Sequence, residues 1–157
     1  MHPNAELLES FYAAFAAKDH ATMGRCYADD ATFTDPVFPS LDADAARAMW
    51  RMFCTGESGL AVTFRDVDAG ETGGSAHWEA VYTFPKTGRR VHNRIDASFE
   101  LRDGLIVRHR DDFDFYRWSR MALGPVGTAL GWTPFLRNKV RAQAATQLSR
   151  FRGAERS

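Results

Sequence analysis

The chain has almost no cysteine: Cys26 and Cys54 stand alone among 157 residues. Neither belongs to a CxxC pair, and no histidine lies at a spacing suited to zinc, so a disulfide framework and a zinc site are both disfavoured. They read as buried, reduced thiols of a cytoplasmic protein. Net charge is missing too. Twenty Lys and Arg balance twenty Asp and Glu, so no global field draws nucleic acid or an anionic membrane. No apolar run approaches the ~20 residues needed to span a bilayer. The first ten residues, MHPNAELLES, lack the apolar core of a signal peptide. Internal repeats and low-complexity segments are absent. What remains is a chain of one-domain length with ordinary apolar content, 45%, whose Phe and Trp residues suit either a core or a pocket wall.

Periodicity organises that material. Leu7, Leu8, Phe11, Tyr12, Phe15 and Ala16 form one helical stripe over residues 5–18. Asp19 reads as the N-cap of a short second helix that Asp29 and Asp30 close. Residues 31–38 read as a strand ending at prolines. Asp42 or Asp44 caps a third helix over 43–55. Alternation then takes over: Leu60, Val62 and Phe64; Ala76, Trp78, Ala80, Tyr82 and Phe84; Val91, Asn93, Ile95, Ala97, Phe99 and Leu101. The turn Arg102-Asp103-Gly104 leads into a last strand whose inward row is Leu105, Val107, His109, Asp111, Phe113 and Phe115. Helices followed by an antiparallel meander predict an α+β domain, a curved antiparallel sheet wrapped against helices around a conical cavity.

The final forty residues form a helical extension. A short helix near 118–123 is broken at Gly124–Gly127 and again at Gly131–Pro134. Thr133-Pro134 then opens a helix to about Phe151, striped by Leu136, Val140, Ala144, Leu148 and Phe151. Val126, Leu130, Trp132 and Phe135 are expected to pack beside the cavity mouth or across a partner subunit. A basic amphipathic helix resting on a membrane is the alternative.

Two features point to chemistry. Asp35, in Asp29-Asp30-Ala31-Thr32-Phe33-Thr34-Asp35-Pro36, shares a face with Phe33, and Asp111 shares its row with His109. A carboxylate on a core-facing row is costly unless it is paired, neutral or set in a polar-lined pocket. A His–Asp pair fixes one imidazole tautomer and suits a general base near neutral pH. The structural alternatives are an Asx-turn at Asp35 and an internal salt bridge at His109–Asp111.

Together with the element order, three segments resemble the nuclear transport factor 2-like superfamily, in its SnoaL-like and ketosteroid isomerase-like branch. They are Phe11 to Asp19, Tyr27 to Pro36, and Asp103 to Val107 with Asp111 to Asp114. The resemblance covers about residues 5–117. It implies a cystatin-like α+β barrel, and dimerisation through the outer sheet face, here His92, Arg94, Asp96, Arg108, Arg110, Asp112 and Tyr116. By the same resemblance Asp35 takes the place of the isomerases' proton-shuttling Asp. Asp111 takes that of an Asp in limonene-epoxide hydrolases. The isomerases' two oxyanion donors would fall on Phe11 and near Ala97. The hydrolases' Arg and remaining Asp would fall on the strand of Trp78 and Ala80. SnoaL-like polyketide cyclases, cofactor-free with an inward Asp, resemble the set best.

The resulting expectation is a SnoaL-like domain over 1–117 and a packed helical extension over 118–157. Asp35, His109 and Asp111 are the catalytic candidates. Tyr12, Trp50, Trp78, Tyr82, Asn93, Phe99 and Phe113 are the substrate-binding candidates. No cofactor and no metal are expected. The partners would be a small apolar, cyclic or polyketide-like molecule and a second copy of the chain, with no nucleic acid and no membrane. The competing readings are a non-catalytic ligand-binding or dimerisation module and a lipid-associated protein acting through the C-terminal helix.

Overall fold

The computed structural model describes residues 1–156. Helix α1 (Pro3–Ala16) opens at His2, whose Nδ1 accepts the Asn4 N–H at 3.0 Å. Asp19 caps α2 (His20–Arg25) through Thr22, as its position suggested. Strand β1 covers Tyr27–Thr34, β2 is the short Leu41–Asp42, and Asp42 caps α3 (Ala43–Thr55) through the Ala45 N–H at 2.8 Å. Strands β3 (Ala61–Ala69), β4 (Gly73–Phe84), β5 (Arg89–Arg102) and β6 (Leu105–Asp112) follow. The chain ends in α4 (Phe115–Leu123), α5 (Pro125–Leu130) and α6 (Pro134–Arg156).

The six strands make one sheet in the order β2-β1-β6-β5-β4-β3. The α+β class holds, with two corrections. The sheet is mixed, because β1 runs parallel to β6, and it is not closed into a barrel, since β2 and β3 remain as its two edges. Periodicity along single strands carries no information about which way distant strands pair, so neither point was readable from it.

On β5 the predicted parity holds throughout. Val91, Asn93, Ile95, Ala97, Phe99 and Leu101 are buried, while Arg94, Asp96, Ser98, Glu100 and Arg102 are exposed. On β6 it fails at the start. Glu100 pairs with Arg108 but Leu101 pairs with Ile106, so one extra residue is accommodated there and Ile106 turns inward in place of Leu105 and Val107. Beyond that bulge, His109 and Asp111 face inward as expected. At β1 the strand starts four residues earlier than predicted. Asp29 and Asp30 therefore lie on the strand, not at a helix end, and reach Arg47 and Arg102 at 3.1 and 2.8 Å.

The main core lies between α1, α3 and one face of the sheet. Phe11, Phe15 and Trp50 from the helices meet Phe33, Trp78 and Phe99 from the strands. A second core joins Val91 to Phe115, Trp118 and Ala122 of α4 and to Leu136 and Val140 of α6. Thr133 caps α6 through the Leu136 N–H, and the predicted stripe is buried at Leu136, Val140 and Leu148. Both expected breaks occur, with Gly124 ending α4 and Gly131 ending α5, and two glycines also pack the region. A Cβ at Gly127 would sit 1.9 Å from the Ser119 carbonyl oxygen, and one at Gly131 would sit 2.0 Å from Ser119 Oγ, so only glycine lets α5 lie against α4. Turning those residues inward leaves Val126, Leu130, Trp132 and Phe135 exposed, so they do not pack beside the cavity within this chain. Among the described residues no helix is long and apolar enough to cross a membrane.

Candidate active site

The centre of the main core is polar. His109 is fully buried, and both its ring nitrogens are engaged: Nδ1 with the Tyr27 hydroxyl at 2.7 Å and Nε2 with Asp111 Oδ1 at 2.8 Å. The Trp50 indole N–H reaches Tyr27 Oη at 2.9 Å, and the Trp78 N–H reaches Asp111 Oδ1 at 3.3 Å. An indole can only donate. Tyr27 Oη therefore accepts from Trp50 and spends its own proton on His109 Nδ1. His109 then carries its proton on Nε2 and gives it to Asp111. The five side chains form one directed line, Trp50 to Tyr27 to His109 to Asp111, closed from the far side by Trp78. Burial holds the Tyr27 hydroxyl well above its ordinary pKa, so it remains a donor. Phe99 lies 4.3 Å from the imidazole between ring centres, and Phe33 meets it edge-on at 4.9 Å.

Tyr12, from α1, is fully buried beside this line, and its hydroxyl has no hydrogen-bond partner among the described residues. Its ring stacks on Phe64 at 5.7 Å and contacts Phe99 and Trp78. Burial first, and then the charge of Asp111, raise its pKa well above the usual value. An unpaired buried hydroxyl costs about 1–3 kcal/mol, so this is a place where stability is given up.

Asp35 sits one residue past the end of β1, not within a strand as predicted. Its Oδ1 accepts the Val37 and Phe38 N–H groups at 2.7 and 2.6 Å, while its own N–H donates to the Phe38 carbonyl at 2.9 Å. That is the Asx-turn alternative, formed by a proline-bearing loop. The carboxyl is also shifted. Burial pushes its pKa up to about 7, and the Asp111 charge adds to the rise against the lowering effect of the two N–H donors and Arg141. Asp35 thus combines a structural role at Oδ1 with a proton affinity suited to neutral pH.

The predicted residues divide into two groups. Tyr12, Trp50, Trp78, Phe99, His109 and Asp111 come together in the main core. Asn93 is buried on β5, opposite Ala80 of β4. Tyr82 and Phe113 are partly buried where the two cores meet, and the Tyr82 hydroxyl accepts the Trp118 indole N–H at 2.8 Å. Burial raises the Tyr82 pKa, and the charge of Asp35 adds to the rise against the Trp118 hydrogen bond, which ties that side chain to the Asp35 end. Tyr27 was missed. It reads as a helix-end core residue in sequence, and only the parallel pairing of β1 with β6 brings it to a histidine 82 positions away. Aromatic side chains converge on the place where the conical cavity was expected. A cavity of about 500 Å³ instead opens between the Val37–Leu41 loop and α6. Cys26 takes no nucleophilic part, since burial pushes its thiol up to about 11. Among the described residues no cluster of three His, Cys, Asp or Glu is arranged to hold a metal.

The profile of the SnoaL-like domain matches residues 8–109, about two thirds of the sequence, and spans every residue of the buried line except Asp111. The chain belongs to the SnoaL-like domain family. No curated protein matches it in sequence. Solved structures share the fold. An LEH-like epoxide hydrolase from M. tuberculosis aligns with a TM-score of 0.64 at 21% identity, over 81% of this chain and 95% of that one. A candidate polyketide cyclase from Xanthomonas campestris gives 0.63 at 22% identity over 76% and 96%. TerC, co-crystallised with polyporic acid, gives 0.63 at 18% identity over 76% and 98%. These identities carry the architecture of a SnoaL-like domain, on which several chemistries are built.

Proposed function

We propose that this SnoaL-like protein is a cofactor-free enzyme of proton transfer. It would act on a small, mostly apolar cyclic or polyketide-like molecule, leading to isomerisation, cyclisation or hydrolysis. The observation that carries the reading is the buried Tyr12 hydroxyl, unpartnered beside a carboxylate that is itself held by His109 and Trp78. A donor without an acceptor in a dry core is tolerated where a ligand oxygen completes it. Asp111 keeps Oδ2 clear of the bonds to His109 and Trp78, which both fall on Oδ1, so Oδ2 is the atom to take a substrate proton. His109 acts as a positioning residue that holds this carboxylate, and Tyr27 as one that fixes the imidazole tautomer. Asp35, with its pKa near 7, supplies the second proton-transfer group. Two carboxyl groups in unequal environments are the usual basis for separate acid and base roles. The substrate class is supported by the aromatic surroundings of Tyr12 and by fold relatives that include an epoxide hydrolase, a candidate polyketide cyclase and a protein co-crystallised with polyporic acid.

The test is catalysed hydrogen exchange. A panel of small cyclic ketones and β-dicarbonyl compounds in D₂O is followed by NMR, with wild type compared against Asp111→Asn, Asp35→Asn and Tyr12→Phe. Exchange catalysed by wild type and lost in Asp111→Asn, with the variant still folded, supports the reading. No exchange with any member, together with a Asp111→Asn variant that only unfolds more easily, removes it.

A specific observation favours a second reading, a non-catalytic binding module. Both nitrogens of His109 are satisfied internally, and the ring is fully buried. Saturable ligand binding unaccompanied by exchange would select it. The proposal also includes a homodimer through the outer sheet face. There Glu79 receives His77 and His92 at 2.8 and 2.6 Å, and Asp96 receives His77 at 2.9 Å, so that face carries charges of both signs. Light scattering that finds only monomer at micromolar concentration removes that part. A cytoplasmic location completes the proposal, supported by two separate, buried, free thiols.

A further inference from the structure

Balanced overall, the charge is not balanced along the chain. Residues 113–157 hold eight Arg or Lys against Asp114 and Glu155, while residues 1–112 hold twelve against eighteen Asp or Glu. Helix α6 concentrates the excess, with six basic side chains and one acidic one, Glu155. That glutamate is already committed to Arg51, at 2.7 and 3.0 Å. The basic residues of α6 are therefore not balanced within their own helix.

Three of them line the 500 Å³ cavity between α6 and the loop after β1: Arg141, Arg152 and Arg156. The floor is apolar, built from Phe38 and Ala45 on one side and Leu148 on the other, all buried, with Val37 and Leu41 partly so. Ser40 and Ser149 add hydroxyl groups at the wall. Arg141 spends Nε on the Pro36 carbonyl at 2.9 Å, which fixes its guanidinium at the edge of the cavity. Among the described residues Arg141 and Arg152 form no ion pair, although the charge of Arg141 acts on Asp35 and that of Arg152 on Glu155. A volume of this size is ordinary for a small-molecule site. Apolar walls beneath a cationic rim match a molecule with an apolar body and an anionic end.

The geometry points to a binding site for a free amphipathic carboxylate in this groove, with its carbon body against Phe38 and Leu148 and its carboxylate on the rim that Arg141, Arg152 and Arg156 supply. The inference does not depend on any chemistry at Asp111. It adds a placement, because the groove shares its loop with Asp35. The Val37 and Phe38 N–H groups hold the Asp35 carboxyl on one side of that loop, and their side chains face the groove on the other. A molecule in the groove lies one loop away from Asp35, the more accessible end of the candidate site.

Decanoate is the probe, titrated into the full chain by calorimetry below its micelle-forming concentration, with decanol as the uncharged control. Saturable one-to-one binding of decanoate is expected, with decanol weaker by about tenfold or more, as the loss of a charge-assisted contact implies. Arg141→Gln and Arg152→Gln should each weaken decanoate by about tenfold. Ala145→Trp, at an exposed position on the groove wall, should abolish binding with an unchanged melting temperature. If loss of the Pro36 contact unfolds Arg141→Gln, the other two variants decide. Absence of saturable binding, equal affinity for decanol, or binding untouched by Arg152→Gln and Ala145→Trp would overturn the inference. So would attachment to anionic phosphatidylglycerol vesicles without binding of monomeric decanoate, which would make the surface a membrane contact.

Discussion

Asp35→Asn should stabilise the protein, and only at neutral and alkaline pH. Burial raises the Asp35 pKa from its ordinary 3.8 to about 7. Between those two values the folded protein holds a proton that the unfolded chain has lost, so folding stability falls as pH rises. The fall starts near the unfolded value and is complete once pH has passed the folded one. Three pKa units correspond to about 4 kcal/mol at most. The residue is only half-buried, and solvent screening reduces that to roughly 2 kcal/mol. Asparagine keeps the Oδ1 acceptor that the Val37 and Phe38 N–H groups require. The Asx-turn is therefore retained and only the ionisation is removed. The assay is urea unfolding of both proteins at pH 4.5, 6 and 8, read as the difference between them, which cancels every other titrating group. Near-equal stabilities at pH 4.5 are expected, with the variant ahead by ~2 kcal/mol at pH 8. A gap that stays constant with pH, or a wild type that gains on the variant as pH rises, would refute the argument that this carboxyl is held in its neutral form by burial.

The two buried tyrosines should respond in opposite ways. Tyr27→Phe strips Trp50 of its acceptor and His109 Nδ1 of its donor, so it should cost roughly 2–4 kcal/mol in chemical denaturation; a cost below 0.5 kcal/mol would break the directed line. Tyr12→Phe removes a hydroxyl that has no partner among the described residues, so stability should be unchanged or up to about 1 kcal/mol higher, while ligand binding or exchange activity falls; a clear loss of stability would mean the hydroxyl is already satisfied. Truncation after Trp118 exposes the partners of Leu136, Val140 and Leu148, and light scattering should find aggregates; a soluble, equally stable fragment would show that α6 adds nothing to the fold. Gly127→Ala should lower the melting temperature through a clash with the Ser119 carbonyl, and an unchanged value would contradict the close α4–α5 contact.

What could be read from sequence was whatever depends on neighbours a few positions away. The caps at Asp19, Asp42 and Thr133 follow from side-chain oxygens meeting backbone N–H groups within one turn. The parity of β5 follows from a period of two over a long strand with one wet face. The inward pairing of His109 with Asp111 follows from the same rule, because residues two apart on a strand share a face, and their 2.8 Å bond joins them. The alternative structural role of Asp35 was legible as well, in the Asp-Pro loop that became an Asx-turn.

Tertiary structure decided the rest, and in each case the reason is a contact between distant segments. The bulge opposite Glu100 and Leu101 is a property of two strands in register, so the inward turn of Ile106 cannot be read from β6 alone. Exposure of Trp132 and Phe135 was set by two glycines that draw α5 onto Ser119, which local hydrophobicity does not record. Tyr27 entered the candidate site because β1 lies parallel to β6. The groove beside Asp35 exists because Arg141, 105 residues later, fastens α6 to the Pro36 carbonyl. By itself the sequence determined that this is an α+β domain with carboxylates and a histidine facing its core, since side-chain period and apolar pattern suffice for that. Which hydroxyl completes the histidine, which one is left without a partner among the described residues, and where a groove opens were decided only when strands and helices far apart in the chain packed together.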